Sequence, residues 1–196
     1  MKPELRKKII QEWANDLPLK KKIIKLFEKV RDVPYGDIGS RDPTDVYEKN
    51  KGTCSGKHEL LKELCKELGI KVKNFIAMHK FNDLKVRFPD EIKKILNTTE
   101  IIDPHNFLKI FVGNKWIIVD ATWDKNLKDL GFIVNENWDG KSDMKIAVIP
   151  YETFETKNPL ESKKKVIENL PKQVQKDRKL FLKKLTEWLD KSRTKN

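Results

Sequence analysis

Two apolar runs separated by Gly113-Asn114 constrain this chain more than any other feature. Asn106-Phe107-Leu108-Lys109-Ile110-Phe111-Val112 and Lys115-Trp116-Ile117-Ile118-Val119-Asp120-Ala121-Thr122 are rich in β-branched and aromatic residues, which favour strands. A two-residue link of glycine and asparagine, both tolerant of positive φ, is the strongest local signal for an antiparallel hairpin. The turn pairs Val112 with Lys115. The same register sets Phe107 opposite Asp120 and His105 opposite Thr122. Side chains alternate along a strand, so His105, Phe107 and Asp120 share one face. His105 and Asp120 are then diagonal neighbours, about 7–8 Å apart, a gap that an imidazole and a carboxylate can close. A slip of one residue would put them on opposite faces. Without that diagonal, Asp120 would read as an ordinary strand-end residue.

The second organising stretch is Gly52-Thr53-Cys54-Ser55-Gly56-Lys57-His58, where small residues surround a thiol. Behind it Leu60, Leu61, Leu64, Cys65 and Leu68 recur at helical spacing, and Gly69 supplies a stop signal. Cys54 therefore sits at the first turn of a helix, where free N–H groups and the helix dipole favour an anion. A thiol there loses its proton more easily, and the thiolate is the nucleophile. Thiol, imidazole and carboxylate together are the parts of an acyl-transfer site. Cys54 attacks, His105 moves the proton, and Asp120 orients the imidazole. The Cys54 N–H would form half of an oxyanion hole. The other donor is left unassigned, with the 33–53 loop as one source.

Competing readings of these residues are concrete. A free thiol is most often a small buried hydrophobe, and Cys65, on the apolar side of the helix, reads so. His58 rivals His105 because it follows Cys54 by one helical turn. No acid is placed to orient it, and it reads as a residue behind the site or at the surface. His79 ends a strand and reads as a rim residue. Zinc would need converging ligands, and neither Cys-x-x-Cys nor His-x-x-x-His occurs. Trp116 and Trp123 read as core, and Trp116 shares the face of His105.

The rest of the chain frames these pieces. Residues 3–14 and 19–31 read as amphipathic helices, with Lys20-Lys21-Lys22 on a solvated face. The loop over 32–53, holding Tyr35 and Tyr47 and a short helix at 43–49, leads into Cys54 and reads as a cleft wall. Residues 70–79 read as a strand and 90–96 as a short helix. Residues 131–134 and 144–149 read as further strands. Residues 160–170 and 172–191 read as helices split by Pro171, and the tail 191–196 as frayed.

With 196 residues, the expectation is a single domain with a core over about 33–150 and helical additions at 1–31 and 160–191. The net charge of +12 reads as a lysine-rich solvated surface, with a nucleic-acid binder as the alternative. On one helix, Cys54 and Cys65 would be roughly 16 Å apart, too far for a disulfide. That fits a reducing compartment. Met1 to Trp13 has no continuous apolar stretch of the signal-peptide kind, and no apolar run is long enough for a membrane span. A cytoplasmic protein is expected.

The Gly52–Gly56 stretch, Leu60-Leu61, Leu68-Gly69-Ile70, His105 and the Trp116–Thr122 strand together resemble the transglutaminase-like superfamily over roughly residues 45–125. The resemblance implies an α+β, papain-like core in which a cysteine helix packs on an antiparallel sheet carrying His and Asp, with N- and C-terminal helices outside it. It carries Cys54, His105 and Asp120 onto the family's catalytic positions. Members often have an aromatic directly after the histidine, whereas here Asn106 intervenes before Phe107. The implied activity is acyl transfer on protein or peptide amides through a Cys54 thioester, resolved by water or by an amine, with no metal or organic cofactor. A binding or scaffold protein that keeps the fold without turnover is the alternative.

Overall fold

The computed structural model describes residues 1–193. Helices α1 (Pro3–Ala14), α2 (Leu19–Asp32), α3 (Pro43–Glu48) and α4 (Cys54–Glu67) precede strand β1 (Val72–Lys80). Helix α5 (Asp90–Thr98), strands β2 (Ile102–Val112), β3 (Lys115–Val119) and β4 (Pro150–Thr156), and helices α6 (Pro159–Glu168) and α7 (Lys172–Arg193) follow. The four strands form one antiparallel sheet in the order β3-β2-β1-β4. A mixed architecture of helices on an antiparallel sheet is the class expected. Helix α7 includes Lys191 to Arg193 rather than fraying there, and the rest of the expected tail, 194–196, lies outside the described residues.

The hairpin has the register read from its turn, with Val112 opposite Lys115 and Leu108 opposite Val119. Gly113 and Asn114 take φ of +57° and +65°, the pair of positive values that a type I′ turn requires. Pairing to β3 stops at Leu108, while β2 continues back along β1 to Ile102. That explains Pro104 inside a strand. On the side vacated by β3 no ladder N–H is needed, so the missing donor costs nothing.

Two strand expectations are overturned. Residues 131–134 and 144–149 are not strands. They lie over the sheet as irregular chain, with Met144, Ala147 and Val148 buried. The free edge of β3 is met by the Asp143 carboxylate, which accepts from the Ile118 N–H at 2.6 Å, and by one backbone bond, Met144 N–H to the Ile118 carbonyl at 3.0 Å. The fourth strand is Pro150–Thr156, largely exposed and polar, pairing with β1. Its opening proline and solvated side chains suit an edge and hide it from an apolar pattern.

Apolar side chains gather in two clusters. Leu108 and Ile110 of β2, with Ile117 and Val119 of β3, pack against α1, α2 and α4. Phe107, on the opposite face of β2, belongs to a second cluster with Phe81, Phe88, Trp123, Phe181, Leu185 and Leu189. Helix α4 joins both. Leu60, Leu61, Leu64 and Cys65 enter the first cluster, and Cys54 at its tip enters the second.

Candidate active site

Cys54 is the first residue of α4, so its N–H and those of Ser55 and Gly56 precede the first intrahelical bond. The tip is closely fitted. A Cβ on Gly56 would lie 2.7 Å from Val46 Cγ2 of α3, so glycine is what lets α3 approach. One turn in, Lys57 is fully buried and its Nζ donates to the carbonyls of Arg31 at 2.8 Å, Val33 at 2.7 Å and Thr122 at 2.6 Å. Burial pulls this ammonium down to about 7. The three carbonyls nevertheless take up all three N–H donors of the charged form, so it is the ammonium that the cage fits. Lys57 thereby ties α2, the loop after it and the segment following Asp120 to the cysteine helix.

His105 Nε2 lies 2.7 Å from Asp120 Oδ2, closing the diagonal read from the hairpin. Asp120 is held in turn. Oδ2 accepts from the Ala147 N–H at 2.8 Å, and Oδ1 accepts from the Thr122 N–H at 3.1 Å and hydroxyl at 2.7 Å. With Nε2 committed to the carboxylate, Nδ1 is the nitrogen left for Cys54, and the thiol and the ring act on one another's charge.

Electrostatics follow from this geometry. Burial disfavours charge on all three groups, yet each settles toward its charged form. Against burial and the nearby Asp103, the Cys54 thiol is held well below its ordinary value by the Lys163 ammonium and then by His105. Burial lowers His105, but Asp120 and Cys54 outweigh it and push the imidazole up to about 10. Burial raises Asp120, and His105 outweighs that, holding it well below the carboxylate range. These directions all favour a thiolate–imidazolium pair backed by a carboxylate. Cys65 has only burial, which pushes it up to about 12. Both thiols are free.

His58 is no surface residue. It is buried, its Nδ1 lies 2.8 Å from the Cys54 carbonyl, and its Nε2 accepts from the Ala121 N–H at 2.9 Å. Those partners require the proton on Nδ1. The ring bolts the carbonyl of Cys54 to the strand end beside Asp120. His79 is not at a rim either. It is buried 3.8 Å from Asp103, opposite it on β2, and its Nδ1 has no partner. The Arg178 guanidinium of α7 grips Asp103 and holds its carboxyl below the usual range. Trp116 packs against Phe111 under the Lys73 ammonium, and Trp123 lies in the second cluster. Among the described residues no three His, Cys, Asp or Glu side chains are disposed to hold a metal ion.

A cavity of about 890 Å³ opens beside Cys54. One side is the loop before α4, with Tyr35, Asp37, Gly39, Arg41 and Thr53. The other is α6 and α7, with Leu160, Lys163, Ile167, Arg178 and Leu182. Tyr47 of α3 turns away and donates to Glu12 of α1 at 2.6 Å. The residues that sequence reasoning missed come from the C-terminal helices. Lys163 Nζ lies 3.4 Å from Cys54 Sγ and 3.0 Å from Ser55 Oγ, and Arg193 clamps Asp124 and the Tyr35 carbonyl. Lys163 stands in a run of three lysines, and nothing in that run marks which one faces inward.

Among solved structures the chain is similar to a candidate cysteine protease from Cytophaga hutchinsonii, at 17% identity and TM-score 0.45, over 79% of this chain and 50% of that one. It is also similar to a TGase, at 16% identity and TM-score 0.44, over 64% of this chain and 32% of that one. The chain thus spans half or less of the length of these structures. No curated protein matches it. Among the described residues no helix is long and apolar enough to cross a membrane. The family model of the transglutaminase-like superfamily matches residues 5–121, more than half of the chain and the whole stretch from the cysteine helix to Asp120, and the chain belongs to that superfamily.

Proposed function

We propose that this protein is a thiol-dependent acyl-transfer enzyme acting on protein or peptide amides, with Cys54 as nucleophile, His105 as proton carrier and Asp120 as the group that orients it. The observation that carries this reading is the position of one buried imidazole. His105 is bound through Nε2 to Asp120 at 2.7 Å, which leaves Nδ1 for the thiol at a helix start beside an open cavity.

The steps follow from those positions. The Cys54 thiolate attacks the amide carbonyl carbon, a C–S bond forms, and the π electrons move to oxygen. The Cys54 N–H at the helix tip donates to that oxygen. As the adduct collapses, the C–N bond breaks and imidazolium His105 gives its proton to the departing amine, leaving a thioester and a neutral imidazole. His105 then takes a proton from water, whose oxygen attacks the thioester and releases the acid and the thiolate. An amine in place of water gives an amide. Hydrolysis is the first reading, and both outcomes share the acylation step.

One observation favours a non-catalytic binding role: Cys54 is only 4% exposed and has the Lys163 ammonium against it. Alkylation by iodoacetamide as a function of pH separates the two readings. The enzyme reading predicts one modified thiol, Cys54, with an inflection well below the ordinary thiol value of about 8.5. It predicts a second change near pH 10, where His105 loses its proton. In His105→Ala the first inflection moves up toward the ordinary value. Alkylation of wild type no faster than that of a free cysteine at any pH counts against the enzyme and for the scaffold.

A further inference from the structure

Helix α6 lies outside the part of the chain that matches the family, yet it delivers a cation to the sulfur. Its three consecutive lysines behave differently. Lys164 and Lys165 are exposed and face Glu168 and Glu161 one turn away, at 3.8 Å and 2.7 Å. Lys163 turns inward, with Nζ 3.0 Å from Ser55 Oγ and 3.4 Å from Cys54 Sγ. Among the described residues no carboxylate lies within 4 Å of it. The helix is fixed at its start by the Asn158 side chain, which accepts from the Glu161 N–H at 3.2 Å. The Ser162 hydroxyl lies 2.7 Å from that of Thr156 on β4. An ammonium held this way next to a nucleophile is placed by the fold and not by chance solvation.

We propose that Lys163 is a catalytic residue: its ammonium is the second oxyanion donor, receiving the negative charge as it passes from the Cys54 sulfur to the carbonyl oxygen of the substrate. The assignment rests on the acyl-transfer reading above. An ammonium has three N–H donors, and Ser55 and Cys54 engage two. The third remains for a substrate oxygen bonded within one atom of the sulfur, with the Cys54 N–H as its companion donor. The preference for the transition state comes from atom type. A charge-assisted bond from nitrogen to an oxyanion is short and strong, whereas the resting contact to the larger, softer sulfur is 3.4 Å. The interaction therefore strengthens as charge moves to oxygen, which is the condition for accelerating the step. The charged and titratable groups facing the thiol are His105 and Asp103 from β2, Tyr35 from the preceding loop, Lys163 from α6 and, through Asp103, Arg178 from α7. Of these Lys163 is the cation with no carboxylate within 4 Å, and Asp103 attracts it from farther off.

The test compares two reactions of one sulfur. Iodoacetamide is displaced at saturated carbon and forms no oxyanion; p-nitrophenyl acetate is attacked at a carbonyl and does. Rates of both are measured for wild type, Lys163→Met, Lys163→Arg, Lys165→Met and His105→Ala, at a pH where each thiol is fully ionised. Lys163→Met is expected to slow ester acylation on the order of 100-fold more than alkylation. Lys163→Arg is expected to recover part of the loss, and Lys165→Met, outside the cavity lining, to leave both rates unchanged. An unchanged ratio of the two rates in Lys163→Met overturns the assignment, even if both rates fall together through a structural effect. If wild type reacts with neither reagent faster than a free thiol, or His105→Ala changes nothing, the acyl-transfer reading itself fails, which is a different result.

Discussion

At the scale of residues, the account comes down to where two protons sit. In the unfolded chain the Cys54 thiol and His105 imidazole take ordinary values of 9.0 and 6.5. Folding lowers the first and raises the second to about 10. Between pH 6.5 and 9.0, wherever the folded thiol is ionised, the unfolded pair carries one proton, on sulfur, and the folded pair also carries one, on the ring. Their joint contribution to stability is then flat. Below 6.5 the unfolded pair gains a proton and stability falls with falling pH. Above 9.0 the unfolded pair has none while His105 keeps its own, so stability falls with rising pH. Cys54→Ser removes the sulfur's half of this balance. Its stability should decline across pH 6.5–9.0 by at most about 1.4 kcal/mol per pH unit, while the contribution of the wild-type pair stays level. The gap between wild type and Cys54→Ser in urea denaturation therefore widens with pH; a constant gap contradicts the ion pair. The His105–Asp120 pairing was legible because a two-residue turn sets register. The jobs of Lys57 and His58 were not, because both bind backbone carbonyls or amides distant in sequence, and such partners leave no trace in residue type or spacing.

At the scale of elements, the cysteine helix shows what the glycines of its motif do. Gly56 is there for proximity: Val46 Cγ2 occupies the space a side chain would need, 2.7 Å from an added Cβ. Gly56→Ala sets better helix propensity, worth about 1 kcal/mol, against overpacking of about 1–3 kcal/mol. Because Val46 is fully buried and β-branched, overpacking should win. The variant should lose stability, and Val46→Ala should restore part of it in a double-mutant cycle read by thermal unfolding. Simple additivity of the two changes argues against this contact. Helices α1, α2 and α4 and the β2–β3 hairpin were legible because each buries one apolar face and shows a clean period. The segment at 144–149 shows the same alternation but finds no strand to pair with, since side chain and single backbone bonds already serve the β3 edge. β4 was invisible for the opposite reason, being an edge strand with nothing apolar to declare.

At the scale of the whole molecule, α6 and α7, which the family match leaves out, close over the core that it covers. Phe181, Leu185 and Leu189 of α7 complete the cluster holding Cys54. Arg178, Arg193 and Lys163 reach Asp103, Asp124 and the sulfur. Sequence patterning located both helices but read them as additions beside the site, because periodicity reports which face is buried and not what it is buried against. The cavity between them and the loop before α4 is where an acyl group would lie. Whether such a group becomes bonded to Cys54 is therefore the question the full assembly answers. Incubation of the protein with p-nitrophenyl acetate, acid quench, and intact-mass and peptide mapping measures it directly. The account predicts one hydroxylamine-labile acetyl group on Cys54, lost in Cys54→Ala and strongly reduced in His105→Ala. An unmodified Cys54, or equal labelling with and without His105, would contradict it.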